Sequence, residues 1–117
     1  MTGNVIVDKS KAFALQIIRL YQKLSEEHEY VLGRQVLRCG TSIGANVKEA
    51  VHGQTKPDFY AKMNIALKEA GETEYWLELL YEGGIIDFDT FSDVYAGCQE
   101  LLRLLVAITK SQKESVQ

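Results

Sequence analysis

The chain has 117 residues, of which 46% are hydrophobic, and a formal net charge of −3. This length suits one domain, residues 1–117, with a single core, and the acidic total argues against strong non-specific binding to nucleic acid. The apolar runs are too short to cross a bilayer and the N-terminus does not resemble a signal peptide, so we expect a cytoplasmic protein with reduced cysteines and no membrane contact.

The first two helices are indicated by apolar residues at helical spacing. The first is predicted over about residues 5–27, with Asn4 as its N-cap. The second is predicted over about residues 31–52, with Gly53 ending it. Their buried faces are expected to be formed by Ile6, Phe13, Ile17, Leu20 and Leu24 in the first helix and by Leu32, Val36, Cys39, Ile43 and Ala50 in the second.

The second helix carries an unusual run of small and polar residues. Gly40 and Gly44 are four residues apart and share a face, although glycine costs a helix about 1 kcal/mol relative to alanine. Close approach of another helix at these glycines would offset that cost. Arg38, Ser42 and Asn46 form a second row, offset from the glycines by about half a turn.

The third helix has the clearest pattern. Thr55 or Lys56 is expected to cap it, and Pro57 occupies its first turn. A heptad pattern of buried positions follows, formed by Phe59, Met63, Ala66, Ala70, Thr73, Leu77 and Leu80. Gly83-Gly84 ends this helix, and Asp87 is expected to cap the fourth.

The fourth helix is expected to bury Phe91, Val94, Cys98, Leu101, Leu105 and Ile108. Because the connections are only about 3–5 residues long, consecutive helices must be antiparallel. The sequence therefore predicts an all-α fold, an antiparallel up-down-up-down four-helix bundle.

Apolar residues extend beyond the core positions, and charge is unevenly distributed. Ile18, Tyr21, Tyr60, Ile65, Trp76, Leu79 and Tyr81 fall beside the predicted core. They either cover its edges or form a protein–protein interface.

Residues 1–56 carry a net charge of +3 and residues 57–117 carry −6. This asymmetry indicates either a basic binding face or two complementary faces that meet in an oligomer.

We predict no catalytic, cofactor or metal site. A di-iron bundle needs two Glu-x-x-His motifs, and Glu49-Ala50-Val51-His52 supplies one. The acidic residues Glu69, Glu72, Glu74 and Glu78 are more typical of a solvated or ion-paired face than of a cation site.

Basic residues give the one indication of a ligand. Arg34, Arg38, Lys48 and Lys56 are candidates for contacting phosphates of RNA or DNA. A structural role competes, because the antiparallel register places Arg38 near Glu72, Ser42 near Lys68 and Glu69, and Asn46 near Asn64. We therefore assign helix packing or a structural role to Gly40, Ser42, Gly44, Asn46, Glu69, Glu72 and Trp76.

Two motifs carry a family resemblance. Residues 37–50, LRCGTSIGANVKEA, and residues 62–80, including ALKEA and ETEYWL, resemble the four-helix bundle proteins found in intervening sequences of bacterial 23S rRNA genes. The usual family motif has serine where Cys39 stands. The resemblance implies a bacterial, cytoplasmic homopentameric ring in a family without an established enzymatic activity. The similar accessory variability proteins of diversity-generating retroelements bind nucleic acid and a reverse transcriptase through a basic surface.

Together these observations predict a non-enzymatic, homo-oligomeric scaffold or adaptor. Its expected partners are further copies of itself, with RNA or DNA and another protein as additional candidates. The alternative is a purely protein-binding ring without nucleic-acid contact. Convergence of the basic residues on one surface would favour nucleic-acid binding. Their neutralisation by a neighbouring subunit would favour the purely protein-binding ring.

Overall fold

The computed structural model describes the backbone of residues 2–115 and the side chains of residues 5–112. Four α-helices occupy almost all of this range, and it contains no strand. They are α1 (Thr2–Glu26), α2 (Tyr30–Val51), α3 (Lys56–Glu82) and α4 (Phe88–Ser115).

Side-chain caps begin the third and fourth helices, as predicted. The Asp58 backbone N–H donates to Thr55 Oγ1 at 3.1 Å at the start of α3, and the Thr90 backbone N–H donates to Asp87 Oδ1 at 2.8 Å at the start of α4. Each bond satisfies an amide that lacks a partner within its helix. The predicted cap at Asn4 is wrong, because α1 already includes Thr2 and Asn4 lies inside its first turn.

Short turns connect the helices. The turn between α3 and α4 uses Gly84 with φ of 77°, a conformation that costs glycine little. There the backbone amides of Ile85 and Ile86 both donate to the Leu80 carbonyl, at 2.8 and 3.1 Å. These bonds satisfy the end of α3 and fix the direction in which the chain enters α4.

Each helix packs against two neighbours, α1 with α2, α2 with α3, α3 with α4, and α4 with α1. Cross-helix contacts give the directions. Arg38 and Glu49 of α2 pair with Glu72 and Lys62 of α3, so the later residue of one helix meets the earlier residue of the other. The contacts between the other three pairs of helices show the same antiparallel direction, which confirms the predicted four-helix bundle.

The predicted helix faces form one core, but Leu32, Phe59 and Phe91, predicted to be buried, are only partly buried and pack against it. In α3, every position from Met63 to Leu80 in the heptad pattern is buried, including the single polar residue, Thr73. The Thr73 hydroxyl is satisfied because it donates to the Glu69 carbonyl at 2.8 Å. Cys39 and Cys98 are also buried, as free thiols.

Glycines of α2 bring this helix close to α1. A Cβ atom at Gly40 would lie 2.8 Å from Ile17 Cγ1, and one at Gly44 would lie 3.3 Å from the Ser10 carbonyl oxygen. Gly33 extends the row, with 3.4 Å to Tyr21 Cδ1. The α1–α2 contact therefore depends on missing side chains along one face of α2.

Several large apolar side chains remain exposed outside the core. They occur on all four helices and include Leu15, Ile18, Tyr75, Phe88 and Val106. None of the helices, within the range that the structure describes, is long and apolar enough to span a membrane.

Candidate functional site

A polar network joins α2 to α3 at the surface. Arg38 forms ion pairs with Glu69, at 3.4 Å between Nη1 and Oε2, and with Glu72. The Trp76 indole N–H donates to Glu72 Oε2 at 3.0 Å. Two carboxylates on one helix therefore more than offset the positive charge of Arg38.

This network lies at the rim of the bundle and is partly exposed to solvent. Half of the Arg38 side chain is exposed, against 35% of Glu72 and 16% of Glu69. Solvent screens such pairs, and exposed ion pairs contribute about 0.2–1 kcal/mol each. The network is thus a minor contribution to the α2–α3 contact, and its carboxylates leave Arg38 poorly suited to neutralising a phosphate.

Ser42 and Asn46 of the polar row on α2 donate hydrogen bonds to carbonyl groups of their own helix. The Ser42 hydroxyl donates to the Arg38 carbonyl at 2.7 Å, and the Asn46 amide donates to the Ser42 carbonyl at 2.9 Å. The Asn64 amide likewise donates to its own helix, to the Tyr60 carbonyl at 2.7 Å. The short side chains of Ser42 and Asn46 therefore bond within α2.

Arg34, Lys48 and Lys56 are exposed, and none of them takes part in the ion pairs found among the described side chains. The Arg34 guanidinium lies over the Tyr30 ring, 5.8 Å from its centroid. Arg34 and Lys48 are separated along α2 by 14 residues, about 21 Å of helix rise. The free cations are therefore spread along the bundle and do not form one compact cluster.

The contact between α3 and α4 is lined by carboxylates. Glu74 accepts a hydrogen bond from the Gln99 amide, and Glu78 accepts one from the Tyr95 hydroxyl at 2.6 Å. The hydrogen bond to Glu78, together with burial, raises the pKa of Tyr95 above its ordinary value. Neither carboxylate takes part in the ion pairs of the described region, so each adds an unpaired negative charge at this contact.

A groove of about 490 Å³ separates α1 from α4. Its floor is apolar, with Phe13 and Leu101 at the bottom. Three polar contacts at seven-residue spacing on α1 cross it: Lys9 to Glu100 at 2.9 Å, Gln16 to Asp93 at 3.0 Å, and Lys23 to Thr90 at 3.3 Å. The charged groups of its α1 wall are basic, Lys9, Arg19 and Lys23, and those of its α4 wall are acidic, Asp93 and Glu100, so opposite charges face each other across the groove.

Groups suited to catalysis are dispersed. Burial raises the pKa of Cys98 to about 12 and also raises that of Cys39, which keeps both thiols protonated at neutral pH. Glu49 pairs with Lys62 at 3.1 Å. Among the described residues, no group of three or more histidine, cysteine, aspartate or glutamate side chains is arranged to hold a metal ion.

Some features of these surfaces were not identified from the sequence. The α1–α4 groove and its polar contacts depend on how far apart two helices settle, which no sequence pattern encodes. Gly71 was also missed, although a glycine inside a strong helical pattern is a visible signal. A Cβ atom there would meet nothing within 4 Å.

Comparison with known proteins identifies the family. A search of curated proteins gives no match. One similar solved structure is a protein of unknown function from the S23 ribosomal protein family of Bacteroides thetaiotaomicron, with 47% identity and a TM-score of 0.90. The alignment covers 94% of this chain and 99% of that one. Residues 3–107 match the family described as 23S rRNA-intervening sequence protein. The chain therefore belongs to the 23S rRNA-intervening sequence protein family.

Proposed function

We propose that the protein is a non-enzymatic scaffold or adaptor that works as a homo-oligomeric ring in the cytoplasm. The observation that carries this proposal is the uneven distribution of unpaired charge. Outside the ion pairs of the described region, residues 5–56 carry six cations, Lys11, Arg34 and Lys48 among them, and four carboxylates. Residues 57–112 carry three such cations and seven such carboxylates, Glu74 and Glu78 among them.

Opposite net charge in the two halves of the chain favours association of copies. Exposed apolar side chains accompany both charge types, and apolar contact supplies most of the favourable free energy of protein association. Unlike charges at the rim then fix orientation. A ring of five subunits is the number that the family resemblance implies, and we adopt it as part of the proposal.

Size-exclusion chromatography coupled to light scattering tests the assembly. We expect a mass several times the 13.2 kDa of the monomer at micromolar concentration. A monomer under these conditions would remove the basis of the proposal. Co-purification from the source cell, with protein and nucleic acid both identified, would then show what the scaffold holds.

Nucleic-acid binding is a second candidate function. The observation favouring it is that Arg34, Lys48 and Lys56 project exposed cations without carboxylate partners among the described side chains. Repeated copies of such cations in a ring would bind one RNA or DNA strand with avidity. The acidic total charge limits the strength of this binding.

A gel-shift series over increasing salt tests this second function. Binding should weaken steeply with salt, since each neutralised phosphate releases counterions. The double variant Arg34→Glu/Lys48→Glu should lose binding. The matched control Arg103→Glu/Lys110→Glu changes the net charge equally at exposed positions of α4 and should bind more strongly than the first variant. Absence of any shift at low salt leaves the protein-binding ring as the supported function.

A further inference from the structure

Four aromatic rings form a stack across α3 and α4, near the turn that joins these helices. The Tyr81 ring of α3 stacks on the Phe91 ring of α4 with centroids 4.5 Å apart, and Phe91 stacks on Tyr95 at 4.6 Å. The Phe88 ring meets the Tyr81 ring at a steep angle, with centroids 5.9 Å apart. Phe91 and Tyr95 pack against the core, whereas Phe88 is 59% exposed and Tyr81 is 36% exposed. These four residues, which we call the aromatic stack, therefore present aromatic surface to solvent.

The charged side chains that accompany the aromatic stack on its own two helices are all negative. Residues 69–102 contain no lysine, arginine or histidine. Their carboxylates are Glu69, Glu72, Glu74, Glu78, Glu82, Asp87, Asp89, Asp93 and Glu100. Glu78 accepts the hydrogen bond of the Tyr95 hydroxyl, Glu82 follows Tyr81 in the chain, and Asp87 and Asp89 flank Phe88. None of these four carboxylates takes part in the ion pairs of the described region.

The nearest cations belong to other surfaces of the bundle. Lys23 of α1 donates to Thr90 Oγ1, and both residues line the groove between α1 and α4. Arg34 lies on α2, which packs against α1 and α3. Lys68 precedes the aromatic stack by thirteen residues and Arg103 follows it by eight, about 20 and 12 Å of helix rise. The exposed rings therefore lie in an acidic environment.

We propose that the aromatic stack binds an arginine-rich segment of another protein, with one guanidinium group against the exposed rings of Tyr81 and Phe88. Further arginines of the segment pair with Glu82 and Asp89. Guanidinium groups stack on aromatic rings and pair with carboxylates, and this surface offers both partners. The inference rests on the proposed function as an adaptor and names the chemistry of its partner.

Two other classes of ligand fit this surface less well. Nucleobases also stack on aromatic rings, but the surrounding carboxylates repel the phosphates that accompany them. Small molecules bind in concave sites, whereas these rings are exposed and the carboxylates are spread along two helices. An extended, positively charged segment of a protein reaches the rings and several carboxylates at once.

A fluorescently labelled peptide of five Arg-Gly repeats tests the role of the rings, with binding measured by fluorescence anisotropy at low salt. Phe88→Ala removes the most exposed ring and should weaken binding by about 2–5-fold, the factor expected for an exposed cation–π contact. Phe88→Leu keeps an apolar side chain and should weaken binding by about twofold or more. The control Tyr30→Ala removes a ring of α2 that is 41% exposed and should bind as the wild type does. A peptide of Lys-Gly repeats should bind more weakly than the arginine peptide.

A second pair of variants tests the role of charge. Glu82→Gln/Asp89→Asn removes two negative charges beside the rings and should weaken binding of the arginine peptide by about twofold or more. The matched control Asp8→Asn/Asp58→Asn removes the same charge near the starts of α1 and α3, at the opposite end of the antiparallel bundle, and should bind as the wild type does. Circular dichroism verifies that each variant keeps its helices.

Several outcomes would overturn the inference. They are the absence of wild-type binding at low salt, equal affinities of the wild type and Phe88→Ala, and equal weakening by the two charge variants, which would indicate diffuse attraction. Binding of a labelled single-stranded RNA that Phe88→Ala weakens would assign the rings to nucleobases instead. Light scattering separates this site from the assembly: loss of assembly in Phe88→Ala would show that the rings contact another copy. A wild-type monomer that binds the peptide as expected would overturn the proposed assembly and support the arginine site.

Discussion

The close contact between α1 and α2 makes a quantitative prediction for Gly40→Ala. The new methyl would lie 2.8 Å and 2.9 Å from Cγ1 and Cγ2 of Ile17, well inside the ordinary carbon–carbon separation of about 3.5–4.0 Å. Both atoms are attached to the branched Cβ of a fully buried side chain, so rotation of a terminal group cannot relieve the overlap. The helices must therefore separate or Ile17 must leave its preferred rotamer.

Two opposing terms determine the size of the effect. Overpacking costs about 1–3 kcal/mol, whereas replacing glycine by alanine in a helix gains about 1 kcal/mol. The free energy of unfolding should consequently fall by about 0–2 kcal/mol, and Tm by up to roughly 8 °C for a chain of this size. The control Ala45→Gly, at an exposed position of the same helix, measures the helix-propensity term alone.

Thermal and urea unfolding, followed by circular dichroism at one protein concentration, measure both variants. A double-mutant cycle with Ile17→Ala isolates the contact, because removing the Ile17 side chain makes room for the new methyl. The double variant should be more stable than the sum of the single effects predicts, by about 1 kcal/mol or more. Additive effects, or a Gly40→Ala variant stabilised by as much as Ala45→Gly is destabilised, would refute the proposed close contact.

Three further predictions concern the cap of α3, alkaline stability and the surface ion pairs. Thr55→Ala removes the side-chain cap of α3 and should lower the free energy of unfolding by about 0.5–2 kcal/mol, measured by urea unfolding. Thr55→Ser keeps a capping hydroxyl and should retain most of the wild-type stability. Because the folded state raises the pKa of Tyr95, its hydrogen bond stabilises the protein fully below the ordinary pKa of 10.0 and progressively less above it. Tyr95→Phe should therefore show a smaller loss of stability between pH 10 and 11 than the wild type, and an equal loss would contradict this assignment. Arg38→Met should lower the free energy of unfolding by about 1 kcal/mol or less in low salt, and by still less at 1 M salt, whereas Arg34→Met should have little effect. Equal reductions for the two variants would mean that the carboxylates on α3 do not stabilise the bundle.

Much of the fold was predictable because local signals and helical periodicity agreed. Thr55 and Asp87 are caps in the structure, and the heptad pattern from Met63 to Leu80 is buried throughout. Asn4 failed as a cap because a favourable cap residue does not prevent a helix from starting earlier. Propensity at a single terminal position is a weak constraint compared with the burial of Ile6 in the same helix.

The candidate surfaces were less predictable from sequence. The register of α2 against α3 was sufficient to place Arg38 near Glu72, because both positions follow from helix geometry and a short turn. Register did not show that Asn46 bonds to its own helix, since that depends on the rotamer of a short side chain. The open space at Gly71 is equally invisible in one sequence, because a glycine in close contact and a glycine facing empty space look the same.

The order in which the helices pack has a consequence for how the chain acquires its structure. Three of the four helix contacts join consecutive elements, and only the α1–α4 contact joins distant parts of the sequence. Chains dominated by such local contacts reach their native state on the microsecond to millisecond timescale. A newly made subunit is therefore folded long before it meets another copy at cellular concentration, so the speed of any assembly is limited by encounters between finished bundles rather than by the folding of each one.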